Sequence, residues 1–230
     1  MIGRWSRYGY DLRTLPRDAR RAWRTGGLGG VWFEVRRRTL DRLWVHSDGL
    51  VIEIDLPDGP LPPPPLGIVV TRFTGPDWSR LGELTSERLY PRLAEAAAAG
   101  RHCYVAWRGM RAVGYTWASP ALERRHEGFV LPLPADAVYL WQTQVVPSER
   151  SRGVGAAVVR AAAHAARAAG ARRAWMVIHP ANRSSLRVAA ALNRSGCRVL
   201  GTVRRVQLLS SARSRFEPYV SPRPLLAELQ

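Results

Sequence analysis

Between residues 145 and 159 the sequence reads VVPSERSRGVGAAVV, an apolar pair and a proline, a short basic loop, then an alanine- and valine-rich stretch. A helix N-terminus carries unpaired backbone N–H groups and the positive end of the helix dipole, so it favours an anion. Gly153 and Gly155 let the backbone approach such an anion closely, and Arg150 and Arg152 add charge. The run Arg150, Ser151, Arg152, Gly153, Val154, Gly155 and Ala156 is therefore a candidate phosphate cradle. The plain alternative is a strand-to-helix turn with solvated arginines.

The elements that must position this loop follow from periodicity. AVYLWQTQVV before it predicts a strand, and residues 153 to 169 after it predict a helix with Arg160, His164 and Arg167 outward and Gly170 as C-cap. RAWMVIH predicts a buried strand. Asn182 or Ser184 caps a further helix that ends at Gly196, and CRVLGTVRRVQLL supplies one or two final strands. Upstream, LGIVVTRF is a strand, residues 76 to 99 are helical and split by Pro91, and HCYVAWRGMRAVGYTWA is a hairpin turning at Arg108 to Arg111. Residues 119 to 136 read as an irregular loop. The N-terminal part predicts two amphipathic helices, Asp11 to Arg24 and Val31 to Leu43, around the break TGGLGG. Two short strands are then expected around a Ser-Asp-Gly turn, and the stiff PDGPLPPPP places a boundary at residue 65. From Ser210 onward the chain reads as a loosely attached tail.

The 230 residues suit one domain with an extension, and 46% apolar content supports a core. No apolar run reaches the ~20 residues that span a bilayer, and no leader peptide is expected at the arginine-studded N-terminus. Cys103 and Cys197 lack metal-ligand spacing and read as buried thiols of a cytoplasmic protein. All 35 basic residues are arginine, against 18 acids, a formal charge of +17 that favours polyanionic partners.

Taken in order, the strand, helices, hairpin, long strand, cradle, helix, strand, helix and strand of residues 66–209 resemble the GNAT superfamily of N-acyltransferases. The carrying residues are Arg150, Gly153 and Gly155 directly after a strand, with VGYTWA and HPANRSSLRVAAALNRSGCRVLG as supporting segments. The resemblance implies an α/β GNAT fold, a mixed and mostly antiparallel sheet flanked by helices, here preceded by an α+β extension over residues 1–65 and followed by a tail over 210–230. It implies that the anion is the pyrophosphate of acetyl-CoA or another acyl-CoA. Val145 and Val146 would pair with the pantetheine arm, and Asn182 and Ser185 would lie near it, with helix capping as the alternative role of the latter two. The chemistry implied is direct acyl transfer to an amine, with an N–H, that of Val145, assisting the oxyanion.

The sequence departs from the family where its better-studied members often carry a Glu or His on the strand before the cradle. Here those positions are Tyr139 and Trp141, and Val188 or Ala189 replaces the usual tyrosine acid. Candidates for proton transfer are Tyr139, with Glu127 or His126 in the preceding loop, and His179; each also has a packing, solvated or capping alternative.

The acceptor is expected to be a small-molecule or peptide amine. Two other readings stay open: an acidic acyl carrier protein as donor, or an idle GNAT domain that binds nucleic acid or an anionic membrane. Residues 1–43 hold eleven arginines and four acids interleaved with Trp5, Trp23 and Trp32. That mixture predicts a packed extension with a basic face that associates weakly with anionic surfaces; nucleic acid is the less favoured partner, and oligomers are open.

Overall fold

A computed structural model of the chain describes residues 28, 44–85, 87–121, 131–193, 195–208 and 211–225. The chain forms two compact units, residues 1–47 with 204–215, and residues 48–203 with 216–230. Most of the first lies outside the described residues, including both expected amphipathic helices; Leu28 is helical and exposed.

The strands join in one eight-stranded sheet. They are β1 (Trp44–Asp55), β2 (Val69–Phe73), β3 (His102–Arg108), β4 (Arg111–Ser119), β5 (Ala137–Val145), β6 (Arg173–Ile178), β7 (Cys197–Leu208) and β8 (Ser211–Pro224), in the order β2-β3-β4-β5-β6-β1-β7-β8. Pairings are antiparallel from β2 through β5 and between β1 and β6, and parallel between β5 and β6. Three α-helices are described: α1 (Tyr90–Ala98), α2 (Val154–Ala168) and α3 (Arg183–Ala190). The α/β class and the mostly antiparallel sheet are as expected.

α2 buries Val154, Ala157, Val158, Val159, Ala162 and Ala163, the positions of one helical face. It ends in a Schellman motif: Gly170 takes φ +99°, its N–H donates to Arg167 O, and the Ala171 N–H donates to Ala166 O. On the opposite face of the sheet, Trp78, Trp117 and Trp141 stack in series at 5.6 and 5.5 Å. Trp78 opens a 3₁₀ segment, Trp78–Leu84.

Four local expectations are corrected. Pro91 does not split a helix; it occupies the first turn of α1, where its missing N–H costs nothing. The two short strands expected around Ser-Asp-Gly are one strand, β1. Gly49 is required there because a Cβ would lie 2.5 Å from Val177 Cγ1. β1 also lies inside the sheet, between β6 and β7, so the compact unit begins at Asp48 rather than after residue 65. Glu53 on this strand is buried and accepts from Trp175 Nε1 (2.8 Å) on β6 and Arg198 Nε (3.0 Å) on β7. The expected loose tail instead contains β8. At Gly201 the β8 backbone of Glu217 and Pro218 comes too close for any Cβ, and Leu225 is fully buried.

Candidate functional site

β4 and β5 part from regular pairing at a bulge. Tyr115 pairs with Gln144 and Trp117 with Trp141, so Gln142 and Thr143 both oppose Thr116. Gln142 takes the left-handed conformation (φ 52°) that a bulge admits. The Thr116 hydroxyl meets both the Thr143 hydroxyl (2.8 Å) and the Trp141 carbonyl (3.4 Å), which fixes the distortion. On the other side, β5 pairs with β6 only over Ala137–Tyr139 against Arg173–Trp175, while β6 continues alone beside β1 to Ile178. The two parallel strands therefore diverge, and a cleft of about 780 Å³ opens between the end of β5, the basic loop and α3.

The loop after β5 combines left-handed residues with the start of a helix. Ser151 (φ 60°) and Gly153 (φ 81°) are both left-handed, the backbone hand found in anion-binding nests. Gly153 is the N-cap of α2 and supplies no side-chain cap, so the first N–H groups of the helix face outward unpaired by the helix itself. A Cβ at Gly155 would come into ordinary contact with Val145 and Val188, so its absence leaves the floor of the cleft low. The side chains of Arg150 and Arg187 line it.

Glu149, itself among the residues that line the cleft, anchors the loop. Its carboxylate is buried and takes two hydrogen bonds from Arg108, Nε to Oε1 and Nη2 to Oε2, both 2.9 Å; Arg152 stands 3.8 Å away. The hydrogen bonds from Arg108 hold the Glu149 carboxyl below its ordinary range, against the opposing effect of burial. The charge next to the cradle is thus consumed by an internal partner, and Arg150 and Arg187 are left to the cleft.

Of the expected cradle residues, Val145, Arg150, Ser151, Gly153, Val154, Gly155 and Ala156 line the cleft, together with Asn182 and Ser185 across from them. Asn182 caps α3 by accepting from the Ser185 N–H at 3.1 Å, so capping and lining coincide. Val146 does not line it: the residue is buried and its N–H donates to Val113 O. Strand alternation turns the Val145 amide the other way, toward the divergence, and the Val145 carbonyl accepts from Arg150 Nε at 3.2 Å. Arg152 lies at the rim, largely exposed.

Of the proton-transfer candidates, the two that lie among the described residues, Tyr139 and His179, do not line the cleft. Tyr139 was expected to face the substrates; it is instead fully buried where β5 still pairs with Ser119 and Trp175. Trp141 is buried in the tryptophan stack. His179 is exposed, and its Nδ1 accepts from the Ala181 N–H at 3.1 Å, which makes it a turn cap. Glu127 and His126 lie outside the described residues. Sequence reasoning missed Ser184, Arg187, Val188 and Ala191, which line the cleft from α3 and the turn after it. Their three- and four-residue spacing puts them on one helix face, a signal present in the sequence. It also missed Glu149, an acid hidden among arginines.

Both cysteines are free and buried, and burial raises their thiols, that of Cys197 to about 12. No group of His, Cys, Asp and Glu suited to a metal occurs among the described residues, nor does a helix long and apolar enough to cross a membrane.

Comparison with known proteins follows the same lines. The family model "Acetyltransferase (GNAT) family" matches residues 71–193. No curated protein matches the sequence significantly. Among solved structures, the GCN5-related glucosamine N-acetyltransferase region of a fungal multi-domain GH3 β-N-acetylglucosaminidase superposes with TM-score 0.52 at 12% identity, over 75% of this chain and 22% of that one. A GNAT-family acetyltransferase from Novosphingobium aromaticivorans gives 0.42 at 18% identity, over 69% and 62%. One from Brucella melitensis, solved with acetyl-CoA, gives 0.36 at 16%, over 47% and 74%. The chain thus spans less than two thirds of the first two, and likeness at these identities concerns the fold.

Proposed function

Because the chain belongs to the GNAT acetyltransferase family, we propose that it is an acyl-CoA-dependent N-acyltransferase that uses the cleft between β5 and α3 for the coenzyme and a primary amine as acceptor. The observation that carries this is the coincidence of the β5–β6 divergence with a helix N-terminus whose preceding loop has two left-handed residues.

The residues present fit the coenzyme. Its pyrophosphate needs several N–H donors, close backbone approach and positive charge; the start of α2, Gly155 and the pair Arg150 and Arg187 supply these. An acyl-CoA bound there supplies the activated thioester. The chain's own part is to bind and orient. The outward Val145 amide offers a strand edge to the pantetheine arm, and Asn182 and Ser185 form the opposite wall. The left-handed turn at Gln142 sets where that edge ends. The buried Glu149 holds the loop in place before any ligand arrives, so little ordering entropy is left to oppose binding.

The test is a thermal-shift titration with coenzyme A, then a thiol-release assay with acetyl-CoA across a panel of amines. Stabilisation by coenzyme A with thiol release on one amine class supports the reading. Stabilisation without release on any amine, or with release only from an acyl carrier protein, would replace it with the corresponding alternative. No stabilisation at all would remove the coenzyme from the cleft.

A further inference from the structure

A second cavity, of about 550 Å³, opens at the other end of α2, away from the cradle. Side-chain size creates it. The first half of α2 meets the sheet through Val154, Val158 and Val159, all fully buried or nearly so. The second half offers Ala162, Ala165, Ala166 and Ala169 to the cavity, and the strands beneath offer Ala118 and Ala137. A helix held at one packing distance by valines cannot close on alanines further along, so a hollow remains. The hollow opens to solvent past Arg72, Pro120, Ala135 and Ala169, and it is large enough for a small ligand.

One wall is polar. Arg72 on β2 is directly opposite Tyr104 on β3, and His102 lies two residues from Tyr104 on the same face of the sheet. Arg72 has no carboxylate partner among the described residues. Its charge acts on its neighbours instead: burial and then Arg72 hold His102 below its ordinary value, and Arg72 opposes the rise that burial gives Tyr104. The wall therefore combines an exposed guanidinium that has no carboxylate partner among the described residues with an imidazole and a phenol.

We propose that this cavity is a second binding site, for an apolar monocarboxylate, with the carboxylate on Arg72 and the Tyr104 hydroxyl and the hydrocarbon body over the alanines of α2. The charge of the wall selects an acid over an amine or an alcohol. The depth of alanine selects an aliphatic body over a compact polar one.

The experiment is calorimetric titration of the full chain with sodium octanoate, with octylammonium and 1-octanol as controls, repeated with coenzyme A at saturation. Octanoate is expected to bind with and without coenzyme A, and at least about tenfold more tightly than either control. Arg72→Gln should weaken octanoate by about tenfold, and Ala166→Leu, which fills the floor, should abolish its binding. Both variants should bind coenzyme A as the parent does, which also certifies that they fold. The proposal is overturned by octanoate that fails to bind, that competes with coenzyme A, that binds no better than octylammonium, or that is indifferent to both substitutions. These outcomes are separate from those that test acyl transfer.

Discussion

Arg108, at the end of β3, grips the buried carboxylate of Glu149 with two 2.9 Å hydrogen bonds across 41 residues of sequence. The β3–β4 hairpin thereby holds the segment from which the basic loop springs. Arg108→Met should loosen that loop without touching a ligand: coenzyme A affinity is expected to fall about tenfold in calorimetry. Glu149→Gln should do the same, and the double variant should lose little more than either single one. Additive losses would show that the two residues do not act as a pair.

The same pair makes an acid-limb prediction. Glu149 titrates below its ordinary 4.5 in the folded chain, chiefly through Arg108. Asp136 titrates below its ordinary 3.8, chiefly through Arg173. In both cases the unfolded chain binds protons first as pH falls. Their stabilisation is therefore complete above those ordinary values and is lost on the way down through the lowered ones. Urea midpoints at about pH 7 and about pH 3 should differ more for the parent than for Arg108→Met. Equal differences would detach the ion pair from acid stability.

Gly153 and Gly155 should fail differently when substituted. Gly153 is left-handed, so Gly153→Ala carries strain of about 1–2 kcal/mol wherever its Cβ lands, and thermal unfolding should report it. Gly155 has a helical backbone, and a Cβ there would make ordinary contacts at 3.5 and 3.7 Å. Gly155→Val should stay folded yet bind coenzyme A at least about tenfold more weakly, because its methyls enter the cleft. Parent-like affinity in the folded Gly155→Val protein would sink the cradle.

Tyr139→Phe and His179→Ala are expected to leave turnover within about threefold of the parent, far from the ~10²–10⁴-fold loss typical of a general acid or base. Tyr139 is sealed in the core and His179 spends Nδ1 on a turn. A loss of that size in Tyr139→Phe, with parent-like thermal stability, would restore the tyrosine to the chemistry.

Legibility followed sequence distance. The loop between β5 and α2, α2 with its Gly170 cap and the hairpin at Arg108–Arg111 are local patterns, and each element appears where the residues place it. Gly49 was misread because a turn glycine and a glycine that makes room for a neighbour look alike. Only Val177, which stands opposite Val51 on the neighbouring strand β6, tells them apart, and no local window contains it. Tyr139 is placed in sequence by counting back from the glycines. The count gives the position along β5 but cannot reveal that β5 and β6 are still paired there. Glu149 reads in sequence as one more loop acid because its partner, Arg108, lies in the β3–β4 hairpin.

The place of β1 governs the order in which this protein can be made. Glu53 and Trp175, joined by a 2.8 Å hydrogen bond, stand 122 residues apart. On the ribosome the strand around Glu53 emerges early and must wait, apolar and unpaired, for both of its flanking strands. Long-range pairing of this kind is slow, and a waiting strand edge is exposed to aggregation. Fragments that stop short of β6 should therefore be insoluble, because an early strand is seated only once its late partners are made.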